Sequence, residues 1–118
     1  MNTIVNIAAV FFGSGIGGVC RWGLSLWLNS AHPYGTFAAN VIGCFVIGML
    51  SRIMPMNDTV RLLLSVGFCG GFTTFSTFVN ENLLMLRSGQ LGSALCYATV
   101  SIAAGLLAAW AGYNIRIR

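Results

Sequence analysis

The sequence contains no lysine, only two acidic residues, Asp58 and Glu81, and a single histidine, His32, in 118 residues. Charged residues make up 7 % of the chain, against about 25 % in an ordinary soluble domain. A water-facing surface cannot be assembled from so few charges, so the solvent around most of the chain is expected to be lipid. The scarcity of acids and histidine also excludes most catalysis. No Ser-His-acid set and no cluster of metal-ligating side chains is present. The six cations, all arginine, give a net charge of +4, but they are scattered and form no basic stripe, which argues against nucleic acid as a partner. Proline occurs twice, at Pro33 and Pro55, both between apolar stretches. The four cysteines, Cys20, Cys44, Cys69 and Cys96, form no C-x-x-C pair, and each sits in an apolar run, where a thiol behaves as a small hydrophobe.

What is abundant is apolar sequence: hydrophobic residues make up 57 % of the chain. A bilayer-spanning helix needs about 20 mostly apolar residues. Four stretches qualify, at about 3–28, 34–54, 59–86 and 91–113, separated by polar punctuation at 29–33, 55–58 and 87–90. Backbone polar groups find no partners in lipid, so helices are the expected spanning form, in a single four-helix domain covering 1–118. The first stretch lacks a cationic leader and is followed by three more like it, so it is expected to be a span rather than a secretory signal. Gly13 with Gly17, and Gly67 with Gly71, form G-x-x-x-G pairs, and Gly43, Gly48, Gly105 and Gly112 add further notches for close helix packing. Gly13, Gly15 and Gly18 also satisfy G-x-G-x-x-G, but no strand precedes them and no acid lies about 20 positions downstream, so a dinucleotide site is rejected.

Orientation is weakly encoded. An even number of spans puts Arg52, Arg61, Arg116 and Arg118 on one side of the membrane. Arg87 lies on the other side, with Arg21 inside the end of the first span. The Lys/Arg rule reads such a distribution as a small bias, compatible with insertion in both directions or in one.

The third stretch carries the chemistry. In Gly70-Gly71-Phe72-Thr73-Thr74-Phe75-Ser76-Thr77-Phe78, adjacent glycines precede four hydroxyl residues within five positions. Glycine costs roughly 1 kcal/mol relative to alanine in a helix, and hydroxyl side chains compete for backbone hydrogen bonds. This composition predicts a break near the bilayer midplane, whose freed carbonyls need a cation or a wet cavity. A continuous helix with small residues at a packing face is the alternative. Phe75 and Phe78, spaced i, i+3, share a face that Glu81 continues. Read alone, such a pair is compatible with lipid-facing or core residues. Beside Ser76, Thr77, Asn80 and Asn82, the positive ring edges would instead help form an anion path without a full positive charge. Asn40 and Thr36 are the polar residues of the second span, suited either to bonding a neighbouring helix or to lining a pore. Tyr97 and Ser101, at i, i+4, offer the same on the fourth. Glu81 and Arg21, close to span ends, are functional candidates if they lie inside and solvated or snorkelling residues if they do not.

Thr73-Thr74-Phe75-Ser76-Thr77-Phe78, Arg21-Trp22, Gly35-Thr36 and Ala39-Asn40-Val41-Ile42-Gly43, set in four spans of this length, resemble the Fluc (CrcB) fluoride channel family over nearly the whole chain. The resemblance implies an all-α membrane protein with a broken third helix, assembled as an antiparallel, dual-topology homodimer in the inner membrane. It implies passive fluoride export that protects the cell from fluoride toxicity. Phe75 and Phe78 would contact the ion, Asn40 and Arg21 would serve its entry or dehydration, and Ser76, Thr77 and Ser101 would act as polar donors. Glu81 would lie near a pore end. A structural sodium ion would be held by the main-chain carbonyls of Gly70 and Thr73 from both subunits. A small multidrug-type cation exporter would need an acid in its first span, which this chain lacks. A non-transporting membrane assembly protein, relying only on its glycine faces, would be indifferent to substitution of Phe78.

Overall fold

A computed structural model describes residues 2–28, 33–52 and 57–115. Positions 29–32 of the polar turn expected at 29–33, including His32, the end of the second span at 53–54, Pro55, Met56, Arg116 and Arg118 all fall outside the described residues. The described residues are helical, without strands: α1 (Thr3–Leu28), α2 (Tyr34–Arg52), α3 (Asp58–Arg61), a π-helical run (Leu62–Cys69), α4 (Gly70–Phe72), α5 (Phe75–Arg87) and α6 (Leu91–Asn114). Four helical stretches are long and apolar enough to cross a membrane: Thr3–Leu28, Tyr34–Arg52, Asp58–Arg87 and Leu91–Asn114. The 19 residues of α2 rise about 28 Å, close to the thickness of a bilayer's hydrocarbon layer.

The interior is made of small residues and the exterior of large ones. Ala9, Ala39 and Ala94 are buried, together with eight glycines, among them Gly13, Gly17, Gly43, Gly48, Gly67, Gly105 and Gly112. Phe11, Trp22, Trp27, Leu106 and Trp110 point outward, Trp27 being 80 % exposed. A soluble protein would place these the other way round. In lipid, apolar surface gains nothing from burial against another helix, so close backbone contact decides which faces meet.

Two interlocked helix pairs result. On one side α1 packs on the first half of the third span. A Cβ on Gly13 would strike the Leu63 carbonyl, one on Gly17 the Phe68 carbonyl, and one on Gly71 the Ser14 backbone. On the other side α2 packs on α6, where a Cβ on Gly48 would meet Ala109 and one on Gly112 the Phe45 carbonyl. Asn6 and Thr59 pin the start of α1 to α3 through a 2.9 Å hydrogen bond.

α5 ends in a Schellman arrangement. The Gln90 amide donates to Met85 O at 2.8 Å and the Gly89 amide to Leu86 O at 3.1 Å, with Gly89 at φ 76°. A left-handed residue is needed there, and glycine adopts it without a Cβ clash. The tight turn returns α6 alongside α5.

Candidate functional site

The site is built around two residues that leave helical geometry. α4 ends at Phe72, Thr73 has φ −85° and ψ 156°, Thr74 has φ −148° and ψ 120°, and α5 starts at Phe75. Three local contacts hold this step. The Thr73 amide and hydroxyl both donate to Cys69 O, at 3.0 and 2.8 Å. Thr74 caps α5, its hydroxyl accepting the Thr77 amide at 3.2 Å. Asn40, on α2, supplies the third: its Oδ1 accepts the Thr74 amide at 2.7 Å and its Nδ2 donates to Thr74 O at 3.2 Å.

Two carbonyls are thereby left without the amides that would close helical turns onto them. The Thr74 amide goes to Asn40 rather than Gly70 O, and the Thr77 amide goes to the Thr74 hydroxyl rather than Thr73 O. A carbonyl oxygen without a donor suits a hard cation. Gly70 and Thr73 therefore fit the ligand set that the family resemblance implies for sodium. Gly70 is exposed, and a Cβ added to it would meet nothing within 4 Å, so its surroundings are open.

A cavity of about 390 Å³ runs beside this step, between α2, the third span and α6. Of the residues singled out from the sequence, Asn40, Gly70, Thr73, Phe75, Phe78 and Ser101 line it. The Phe75 and Phe78 ring centroids are 6.0 Å apart, with their planes tilted by 39°. Phe75 is 77 % exposed, while Phe78 is half-buried and packs on Tyr97 with a centroid separation of 5.1 Å. The Ser101 hydroxyl is buried with no hydrogen-bond partner among the described residues, so a donor in this cavity is uncommitted.

Glu81 does not line the cavity. It stands one turn beyond Phe78, where Thr36 donates to its Oε2 and Tyr97 to its Oε1, both at 2.8 Å. The carboxylate thus ties α2, α5 and α6 together, and one of its donors, Thr36, is only 1 % exposed. Arg21 is also apart from the cavity: its Nε donates to Gly71 O at 3.4 Å from the α1 side of the third span. Ser76 is exposed and Thr77 half-buried on α5, and neither lines the cavity within the chain.

Sequence reasoning passed over Cys44, Ile47, Ser65 and Cys69, which also line the cavity. Cys44 follows Asn40 by one helical turn, and that i, i+4 spacing was the available signal. Ser65 and Cys69 share the same spacing, but in a π-helical run a 3.6-residue period misplaces side chains, so no pattern rule finds them.

In chemical terms the cavity offers neutral donors, ring edges and the N-terminus of a 13-residue helix, whose dipole favours negative charge. Among the described residues no arginine lines it. An anion can be met here without being trapped by a full opposite charge.

The family model described as CrcB-like protein, Camphor Resistance (CrcB), matches residues 8–113. A protein of Phocaeicola vulgatus named fluoride-specific ion channel FluC is 40 % identical over 114 residues, covering 91 % of this chain and 94 % of its own length. A protein of the same name from Escherichia coli O17:K52:H18 is 46 % identical over 103 residues, 81 % of each chain. Another from Acidobacterium capsulatum is 41 % identical over 111 residues, 87 % of this chain and 89 % of its own.

Proposed function

The chain belongs to the CrcB-like family, and on that premise we propose that the cavity beside Thr73 and Thr74 is a path for fluoride. The protein is a multi-pass membrane protein and a fluoride-selective ion channel, not an enzyme. The observation that carries the reading is the juxtaposition of the Phe75 and Phe78 rings, the start of α5 and the uncommitted Ser101 hydroxyl around one cavity that, among the described residues, has no cationic side chain. Fluoride is small and strongly hydrated. A row of neutral donors and ring edges replaces part of its water shell, while a larger halide fits the same spacing poorly. Passive efflux through the inner membrane then lowers cytoplasmic fluoride and protects the cell.

Three finer features belong to the same proposal. The extended step at Thr73–Thr74 is a break of the third helix near the bilayer centre, and Asn40 is the side chain that makes it tolerable. A sodium ion at that step, held by the Gly70 and Thr73 carbonyls, neutralises oxygens that lipid leaves unmatched. The working unit is an antiparallel dual-topology homodimer. The exposed Gly70, Ser76 and Asn80 support this, because polar surface in a spanning helix needs a cover other than lipid. The small Arg bias supports insertion in both orientations. In the dimer, Arg21, Ser76, Thr77 and Glu81 would serve the path from the partner's side or at its ends.

The test is fluoride release from liposomes holding the purified protein, followed with a fluoride electrode beside a chloride control. Rapid fluoride loss with negligible chloride loss is expected. Retention of fluoride by correctly reconstituted protein would overturn the reading.

A further inference from the structure

Two thiols, Cys44 on α2 and Cys69 at the end of the π-helical run, line the cavity described above. Neither is among the groups proposed to contact fluoride, and both are free. Their neighbourhood is fixed by a shared partner. Thr73 bonds the Cys69 carbonyl through its hydroxyl, and its methyl group is the atom a Cβ on Gly43 would strike, so the backbones before Cys44 and at Cys69 both close on one side chain. Gly105 on α6 leaves the room that Cys44 occupies, its Sγ lying 3.3 Å from where a Cβ at that glycine would stand. Cys20 and Cys96, by contrast, are exposed and lie outside this cavity.

We propose that Cys44 and Cys69 form a two-thiol site for a soft divalent cation of the mercuric class, and that its occupation closes the cavity to anions. Soft thiolate ligands select soft metals. Among the described residues no group of three His, Cys, Asp or Glu side chains converges, so a four-coordinate zinc site is not assembled, whereas a mercuric ion is satisfied by two sulfurs in a line. Charge favours the divalent ion as well. On binding, two S–H bonds break, two Hg–S bonds form and two protons leave to water, with no change of oxidation state. Two thiolates neutralise the cation, and a net-neutral unit is the form a low-dielectric interior accepts. A monovalent soft ion on the same pair would leave a buried negative charge.

The binding half of this proposal stands on the thiols alone, and the closure half rests on the channel reading. The experiment uses full-length protein carrying Cys20→Ser and Cys96→Ser, exposed to mercuric chloride and freed of excess metal. Mercury per chain and remaining titratable thiols are measured in detergent, and fluoride efflux is measured in liposomes. One mercury per chain, loss of both thiols and a fall in efflux of at least about tenfold are expected, with recovery on adding a small dithiol. Cys44→Ala and Cys69→Ala on that background should each weaken binding by at least about tenfold and abolish the block. Cys44→Ser, which keeps the volume, serves if the alanine variant is not monodisperse. Absence of stoichiometric mercury in a sample that conducts fluoride, or a block that survives loss of either thiol, would overturn the site. Stoichiometric mercury with no fluoride efflux in any sample, untreated included, would support the site and overturn the channel reading.

Discussion

The carboxamide of Asn40 closes a ring of two hydrogen bonds with the main chain of Thr74, accepting its amide at 2.7 Å and donating to its carbonyl at 3.2 Å. One side chain on α2 thus does for an extended residue of the third span what a neighbouring strand would do in a sheet. Without it, the Thr74 amide would stand unmatched, at a cost of several kcal/mol in apolar surroundings, whereas the Thr74 carbonyl, at the N-cap of α5, also accepts the first bond of that helix.

Asn40→Asp keeps the acceptor for the Thr74 amide but loses the donor to its carbonyl and adds a negative charge beside the path. Fluoride efflux is expected to fall by at least about tenfold, since a single buried carboxylate repels an anion by more than about 1.4 kcal/mol at this range. Flux equal to wild type would confine Asn40 to helix packing.

Phe78→Ile removes the ring edge from the cavity wall and keeps a branched apolar side chain in its place. Efflux should be abolished or greatly slowed, while size-exclusion behaviour stays that of the parent. The measurement is the fluoride-electrode assay paired with chromatography of the same preparation. Undiminished flux would take Phe78 out of the path.

Gly48→Ala places a methyl group against the Ala109 backbone, which has no flexible end to give way. Destabilisation of about 1–3 kcal/mol is expected from overpacking. Gly15→Ala and Gly92→Ala, where a Cβ meets nothing within 4 Å, should be neutral or slightly stabilising. Thermal unfolding in detergent separates the two classes, and equal midpoints for Gly48→Ala and Gly15→Ala would show that the helices can slide apart.

Sodium bound to the Gly70 and Thr73 carbonyls of the folded protein alone would raise its stability with ion concentration. The melting midpoint in detergent should therefore climb as sodium replaces a bulky organic cation at constant ionic strength. A midpoint indifferent to the exchange would remove sodium from the site.

Much of the membrane architecture was legible in the residues themselves. The scarcity of charge and the four apolar stretches are one-dimensional properties, readable because lipid imposes the same demand on every residue of a span. The glycine notches were legible as a class, since only small residues admit backbone contact. Which notch meets which partner was not: Gly13 and Gly17 face the third span, while Gly48 and Gly112 join α2 to α6. At the site, Asn40, Phe75, Phe78 and Ser101 were picked out as polar or aromatic outliers, and they line one cavity. Cys44, one turn after Asn40, was legible only through that spacing, and Cys69 was hidden by the π-helical run in which it lies. Glu81, which the family resemblance puts near a pore end, also accepts hydrogen bonds from Thr36 and Tyr97 within the chain, contacts that no local pattern announces.

The sequence by itself determined that this chain spans a membrane four times, that its helices approach through glycine, and that its unusual chemistry lies between Gly70 and Phe78. These follow from composition and local pattern, which act through the solvent and the backbone and need no knowledge of neighbours. Only the tertiary structure decided that Asn40 serves Thr74, that the Ser101 hydroxyl is left unpaired, and that two distant thiols share a cavity. Each depends on how helices distant in sequence come together (Asn40 and Thr74 are separated by 34 positions), and the packing of whole helices decides that.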